Sequence, residues 1–226
     1  MRDLKLYHLI YERPSEAPSG DDEDAFRRFL RESLTDYLGA PGAGMAEALL
    51  MDGLPPIRKG PHGKPYFCGP ELEKVFFSLS HTAGHAVLCF SDGEIGVDCE
   101  NIDARPRIGS KLGGIAKRCF TEDEQAYVDG GGAGRGAEGG RGRSPEENPA
   151  DGADRIRRFF EIWTAKEAYM KYTGNGFSEG FKSFSALSVP GVRIETGCVE
   201  GAPHVIYSVC TQACYGAGEC VAKGGC

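Results

Sequence analysis

Arg155 to Gly174 reads RIRRFFEIWTAKEAYMKYTG and leaves little choice of local structure. Ile156, Phe159, Phe160, Trp163 and Met170 recur at spacings of three and four, the period of a helix with one apolar face. No proline or glycine interrupts the run before Gly174, which reads as its C-cap. Lys166, Glu167 and Lys171 are set into this helix, Glu167 one turn beyond Trp163 and Lys171 one turn beyond Glu167. Taken alone, the Glu–Lys spacing reads as a surface ion pair worth about 0.2–0.5 kcal/mol. An acidic pair upstream, Asp98 and Glu100, opens a second reading, in which the helix supplies a carboxylate and an ammonium to a shared site.

The chain has 226 residues, enough for one large domain or two small ones. Its net charge of −7 argues against a nucleic-acid partner, which calls for a basic footprint. No apolar run approaches the ~18–20 residues of a membrane span. The N-terminal MRDLKLYHLIYERP carries charges inside its apolar stretch and reads as a strand, not a signal peptide. Nine cysteines without a secretion signal point to reduced thiols in a cytoplasmic protein. Cys210, Cys214, Cys220 and Cys226 cluster near the end, but their spacing fits no zinc pattern and includes no histidine, so they read as a terminal tail.

Residues 4–11 predict a strand, and Asp24–Leu38 predicts a helix with Phe26, Phe29, Leu30, Ser33 and Tyr37 on one side. Met45–Met51 predicts a short helix that Leu54-Pro55-Pro56 breaks. IRKGPHGKPYF, residues 57–67, reads as a basic loop punctuated by Gly and Pro, either a solvated surface loop or a place for an anion. Strands are expected at 75–81, 86–90 and 94–100, joined at Ser91-Asp92-Gly93 by turn chemistry. Arg105–Arg118 contains an amphipathic helix, and Thr121-Glu122-Asp123-Glu124 is a capping box opening another through Val128. Eight of the fourteen residues from Gly130 to Arg143 are glycine, so 130–153 reads as a mobile insert. Two further strands are expected near 191–199 and 203–211. Helices and strands do not alternate regularly, which favours α+β with antiparallel sheets.

On the strand at 94–100, Ile95, Val97 and Cys99 point one way while Asp98 and Glu100 point the other. Carboxylates two residues apart on one strand face lie roughly 6–7 Å from each other. They form either a solvated acidic edge or a pair of hard oxygen ligands of the kind Mg²⁺ takes. The basic loop, Ser80-His81, Asp98/Glu100 and Lys166/Glu167/Lys171 together are equipment for phosphoryl chemistry, where positioning and charge neutralisation dominate.

GVDCE at 96–100 followed by WTAKEAYMK at 163–171 resembles the signature of the 4′-phosphopantetheinyl transferases. GKPY at 63–66 and FSLSHT at 77–82 are similar to the two preceding motifs of that family, in the same order. The length resembles the surfactin-synthetase-activating type. That implies a monomer made of two similar α+β halves, a pseudo-dimer with its active site in the cleft between them. The halves would be residues 1–100, carrying the CoA-binding loop, the Ser80-His81 motif and the GVDCE strand, and 101–226, carrying the WTAKEAYMK helix.

The resemblance implies transfer of phosphopantetheine from coenzyme A to a serine of an apo acyl or peptidyl carrier protein, with release of adenosine 3′,5′-bisphosphate. Asp98, Glu100 and Glu167 would hold Mg²⁺, or Mn²⁺ in its place. Glu167 would also activate the serine hydroxyl, and Lys171 would neutralise the pyrophosphate. Ser80, His81 and Thr82 would hold phosphate oxygens. Gly63, Lys64 and Pro65 would lie along the adenosine end, with Lys166 as a supporting charge. Arg58, or alternatively Arg28, would meet the CoA 3′-phosphate. The carrier would dock near 101–128, on Ile108, Leu112 and Phe120. A competing reading is a carrier- and CoA-binding module that has lost catalysis. Another phosphoryl-transfer enzyme would need a Walker-type loop or a kinase motif set, which the sequence lacks.

Overall fold

The computed structural model describes residues 4–11, 20–39, 53–104, 109–130, 149–176 and 180–213. The first unit runs β1 (Lys5–Ile10), α1 (Gly20–Leu38), β2 (Ile57–Lys59), β3 (Pro65–Phe67), β4 (Phe76–Thr82) and β5 (His85–Ser91). β1, β5 and β4 form an antiparallel sheet in that order, with Leu6 opposite Cys89 and Ser80 opposite Val87. The second unit runs β6 (Ile95–Asn101), α2 (Leu112–Cys119), α3 (Glu122–Val128), α4 (Pro149–Thr173), β7 (Val192–Val199) and β8 (Ala202–Gln212). Its sheet has the order β6-β8-β7, also antiparallel, with Asp98 opposite Ser208. Setting aside the β2–β3 hairpin, each unit runs from a strand through helix to two further strands, the last of which takes the centre of the three-stranded sheet.

The burial pattern explains the stacking. Ala86, Leu88 and Phe90 of β5 face a core with Phe29, Leu34, Tyr37 and Leu38 of α1. The opposite face of β5, Val87 and Cys89, meets Ile95, Val97 and Cys99 of β6 and Val205 and Val209 of β8. On the far side of the second sheet, Ile206 joins Phe159, Phe160 and Ile162 of α4 and Leu112, Phe120 and Val128. The layers therefore run α1, first sheet, second sheet, α4. The continuous apolar run AVLCF follows from β5 being covered on both faces.

Several expectations need correction, and each has a local cause. GVDCE lies in the second sheet: as a strand, β6 pairs with β8 and not with β5. The basic loop at 57–67 is a hairpin in which Arg58 pairs with Tyr66, closed at Gly63 by a φ of 87°. The long helix begins at Pro149, inside the stretch read as an insert, since proline suits a helix's first turn. The helix expected within Arg105–Arg118 is present as α2, which starts at Leu112 after a 3-10 turn at Gly109–Lys111. Leu112 and Phe120 are 1% and 0% exposed, so they are core and offer no surface to a carrier.

The thiol of Cys210 is equally buried, in β8, and does not belong to a tail. Met45–Met51, Ile108, residues 131–148 and the other three cysteines of that cluster lie outside the described residues. The helix expected from Asp24 begins earlier, at Gly20. The capping box is as expected: Thr121 donates its backbone N–H to Glu124 Oε2 at 2.7 Å.

Candidate active site: a carboxylate pocket where β4, β6 and α4 meet

β4 and β6 are the facing edges of the two sheets, and alternate polar residues of β4 join them. Ser78 Oγ accepts the Val97 N–H at 3.0 Å. Ser80 Oγ donates to Asp98 Oδ1 at 2.8 Å. Thr82 Oγ1 accepts the Asn101 N–H at 3.1 Å and lies 3.4 Å from Glu100 Oε2. All three β4 side chains are buried, so these bonds form away from competing water. The S-x-S-x-T alternation at Ser78, Ser80 and Thr82 is the sequence signal for this ladder.

α4 closes the third side. Gly96 lets its backbone come down onto β6, since a Cβ there would stand 2.0 Å from the Ala168 carbonyl oxygen. That contact brings about two turns of α4, Trp163 to Lys171, over the outward face of β6. The result is a cavity of about 320 Å³ lined by Leu79, Ser80, His81, Asp98, Cys99, Glu100, Trp163, Glu167 and Lys171. Lys171 Nζ donates to Asp98 Oδ1 at 2.8 Å, the same oxygen that Ser80 engages. Burial pushes the Glu167 carboxyl up to about 7, the Asp98 charge adds to this, Lys171 opposes it, and Glu100 adds a little more.

Three carboxylates facing one small space repel one another, and a single ammonium does not offset them. The donors are all hard oxygens, and the pocket is open to a ligand. The chemistry of these donors suits Mg²⁺ or Mn²⁺ and not a thiolate-seeking metal, although among the described residues no three such side chains are already gathered closely enough to hold an ion.

Elsewhere the expected residues divide. Pro65 and Lys64 line a second, larger cavity of about 710 Å³, with Pro61, His62, Tyr66, Phe67, Phe76, Glu94 and Gly174 among its walls. Lys64 is committed: its Nζ binds Glu94 and donates to the Tyr172 carbonyl at 2.8 Å, at the C-terminal end of α4. Arg58 and Gly63 line neither cavity. Arg28 is exposed on α1. Lys166 points away from both cavities. It is 0% exposed and pairs with Glu124, also 0% exposed, at 2.9 Å. Its expected role as a charge beside the substrate is therefore replaced by a structural one. At this position the side chain leaves the helix about 100° from that of Glu167, and only the tertiary structure says which face meets the pocket.

An antiparallel α+β frame with an acidic pocket of this composition is compatible with phosphoryl transfer. The comparisons make this specific. Residues 94–213 match the model of the ACPS family, the 4′-phosphopantetheinyl transferase superfamily. The 4′-phosphopantetheinyl transferase psf-1 of Bacillus pumilus is 29% identical over 163 residues, covering 72% of this chain and 58% of that protein. The 4′-phosphopantetheinyl transferase AcpT of Escherichia coli is 34% identical over 147 residues, 63% of each chain. A 4′-phosphopantetheinyl transferase of Bacillus subtilis is 28% identical over 202 residues, 80% of this chain and 75% of its own. A Synechocystis relative, slr0495, is 30% identical over 122 residues, and the match spans 40% of its length. Against most of these relatives the chain spans less than two thirds of their length. The chain belongs to the 4′-phosphopantetheinyl transferase superfamily.

Proposed function

We propose that this chain transfers the 4′-phosphopantetheine group of coenzyme A to a serine of an apo acyl or peptidyl carrier protein, leaving adenosine 3′,5′-bisphosphate. The observation that carries this is the meeting of Asp98, Glu100, Glu167 and Lys171 in one cavity. Asp98, Glu100 and Glu167 would hold Mg²⁺, or Mn²⁺. When bound, the ion supplies positive charge against the pyrophosphate.

The chain's own residues account for the rest. Glu167 takes the proton of the serine hydroxyl, directly or through a water. The serine oxygen forms a bond to the phosphorus that carries pantetheine. The pyrophosphate P–O bond breaks, and its electron pair leaves with the adenosine bisphosphate. Lys171, anchored by Asp98, neutralises the charge that develops on that leaving group. Ser80 and Thr82 hold Asp98 and Glu100 in place, and His81 is exposed at the pocket for a phosphate oxygen. The larger cavity, with Tyr66, Phe67 and Phe76 in its walls, suits the purine end of coenzyme A, with Lys64 and Pro65 at its edge. The repeated strand-helix-strand-strand topology supports a pseudo-dimer of two halves with the carboxylate pocket at their junction, able to act as a monomer. No helix of the described residues is long and apolar enough to cross a membrane.

Intact-protein mass spectrometry of an apo carrier incubated with the chain, coenzyme A and Mg²⁺ tests this. The expected result is a gain of one phosphopantetheine mass that EDTA prevents. No gain across fatty-acid, polyketide and peptide-synthetase carriers, with the chain folded, would sink the transferase reading in favour of a carrier- and CoA-binding module.

A further inference from the structure

The buried ion pair behind the pocket is unused by the reaction above, yet both of its side chains are fully bonded. Glu124 Oε1 meets Lys166 Nζ at 2.9 Å and accepts the Ala186 N–H at 2.7 Å, while its Oε2 accepts the Thr121 N–H at 2.7 Å. Lys166 Nζ donates to the carbonyls of Phe181 and Phe184, both at 2.6 Å, and lies 4.3 Å from the centre of the Phe184 ring. Both side chains are 0% exposed, so every one of these bonds forms in low dielectric. The pair therefore ties three parts together: the start of α3, the middle of α4 and the backbone of 181–186.

The tied segment has a face on the pocket. Phe181 stacks on Trp163 with ring centres 5.2 Å apart and planes 15° from parallel. Trp163 is itself a wall of the carboxylate cavity. Phe184 packs against Tyr169, centroids 4.4 Å apart, three residues along α4 from Lys166. Lys166 directly precedes Glu167, so fixing one side chain fixes the rotational setting of the helix that aims the other.

We propose that Glu124 and Lys166 are positioning residues of the site: by clamping 181–186 onto α4 they seat Trp163 and set the direction of Glu167. The inference rests on the transferase reading and deepens it. Neither residue touches the reacting atoms. Trp163 is the chain's single tryptophan, so its fluorescence reports the clamp without reference to activity.

The test is the pair of substitutions Lys166→Met and Glu124→Gln together, which removes both charges and leaves neither buried alone. The chain should stay folded by circular dichroism. Tryptophan emission should shift to the red, and acrylamide quenching should rise about twofold. kcat should fall about tenfold or more while KM for coenzyme A stays within about threefold, the pattern of a lost orientation and not a lost contact. Lys166→Arg, which keeps the charge and the reach to both carbonyls, should restore at least about a third of kcat.

The proposal is overturned if the double variant keeps kcat within about threefold of wild type, or if kcat falls with the tryptophan environment unmoved. It is equally overturned if KM rises with kcat unchanged, for Lys166 would then contact substrate. A wild-type chain that transfers nothing would defeat the transferase reading separately. The clamp is then judged by tryptophan fluorescence and by Mn²⁺ affinity from water-proton relaxation, and equal values in wild type and double variant overturn it.

Discussion

Gly96 and Ala168 set the distance on which the pocket depends. A Cβ at Gly96 would stand 2.0 Å from the Ala168 carbonyl oxygen, 2.4 Å from the Tyr172 nitrogen and 3.0 Å from the Lys171 carbonyl carbon. All three are backbone atoms, so no side-chain rotation relieves the clash. Gly96→Ala must push α4 away from β6, carrying Glu167 and Lys171 with it. The expected cost is about 1–3 kcal/mol of stability from overpacking. A displacement near 1 Å also costs turnover about 100-fold. Thermal melts and carrier-loading rates on the same preparation check both, and an unchanged kcat would show that the contact does not set the site.

Glu167→Gln should lower turnover by about 100-fold or more, the scale of a lost general base. It should not cost stability. Burial and the Asp98 charge burden the ionised carboxylate, and an amide of the same shape escapes that burden. Mn²⁺ affinity should drop in parallel. A variant that loads carriers at near the wild-type rate would remove Glu167 from both its proposed roles.

Lys64→Met separates the purine cavity from the carboxylate pocket. The lysine bridges β3 to Glu94 and to the end of α4, beside the 710 Å³ cavity. Because the pair is partly exposed, its loss should change stability by no more than about 1 kcal/mol. KM for coenzyme A should rise about tenfold with kcat little altered, which steady-state kinetics will read. An unchanged KM would exclude Lys64 from the coenzyme A path.

Three histidines from distant positions meet where the sheets adjoin. His8 Nε2 and His85 Nδ1 are 3.0 Å apart, and His204 lies edge-on to His85 with centroids 5.4 Å apart. Burial lowers the basicity of His8, helped by His85, and burial lowers that of His85, helped by His204. Their folded pKa values lie below the ordinary 6.5, so as pH falls the unfolded chain takes up protons first. Above 6.5 the pair leaves stability unaffected. Below 6.5 stability declines until the folded pKa is reached. Melting temperatures at about pH 7.5 and about pH 5.5 should show this decline in wild type, and a shallower one in His8→Gln. Equal slopes would mean that the imidazoles do not titrate with folding.

The local rules in the sequence were sufficient for elements whose own residues decide them. The 3.6-residue period from Ile156 to Met170 specified a helix, the alternation from Ile95 to Glu100 specified a strand with its acids on one face, and Thr121 with Glu124 specified a helix start. The motif order carried the family and with it the set Asp98, Glu100, Glu167 and Lys171, because those residues keep fixed spacings on two regular elements.

Questions settled by packing between elements were beyond its reach. Whether Lys166 or Glu167 faces the pocket depends on how α4 rolls onto β6, and Gly96 decides that through a contact 72 residues away in sequence. Phe120 and Leu112 read as a docking surface until α4 covers them. Lys64 reads as part of a basic loop until the end of α4 arrives to accept its hydrogen bond. In each case a side chain's own chemistry is fixed by its residue type, while its exposure, partner and charge state follow from which surfaces the chain buries together.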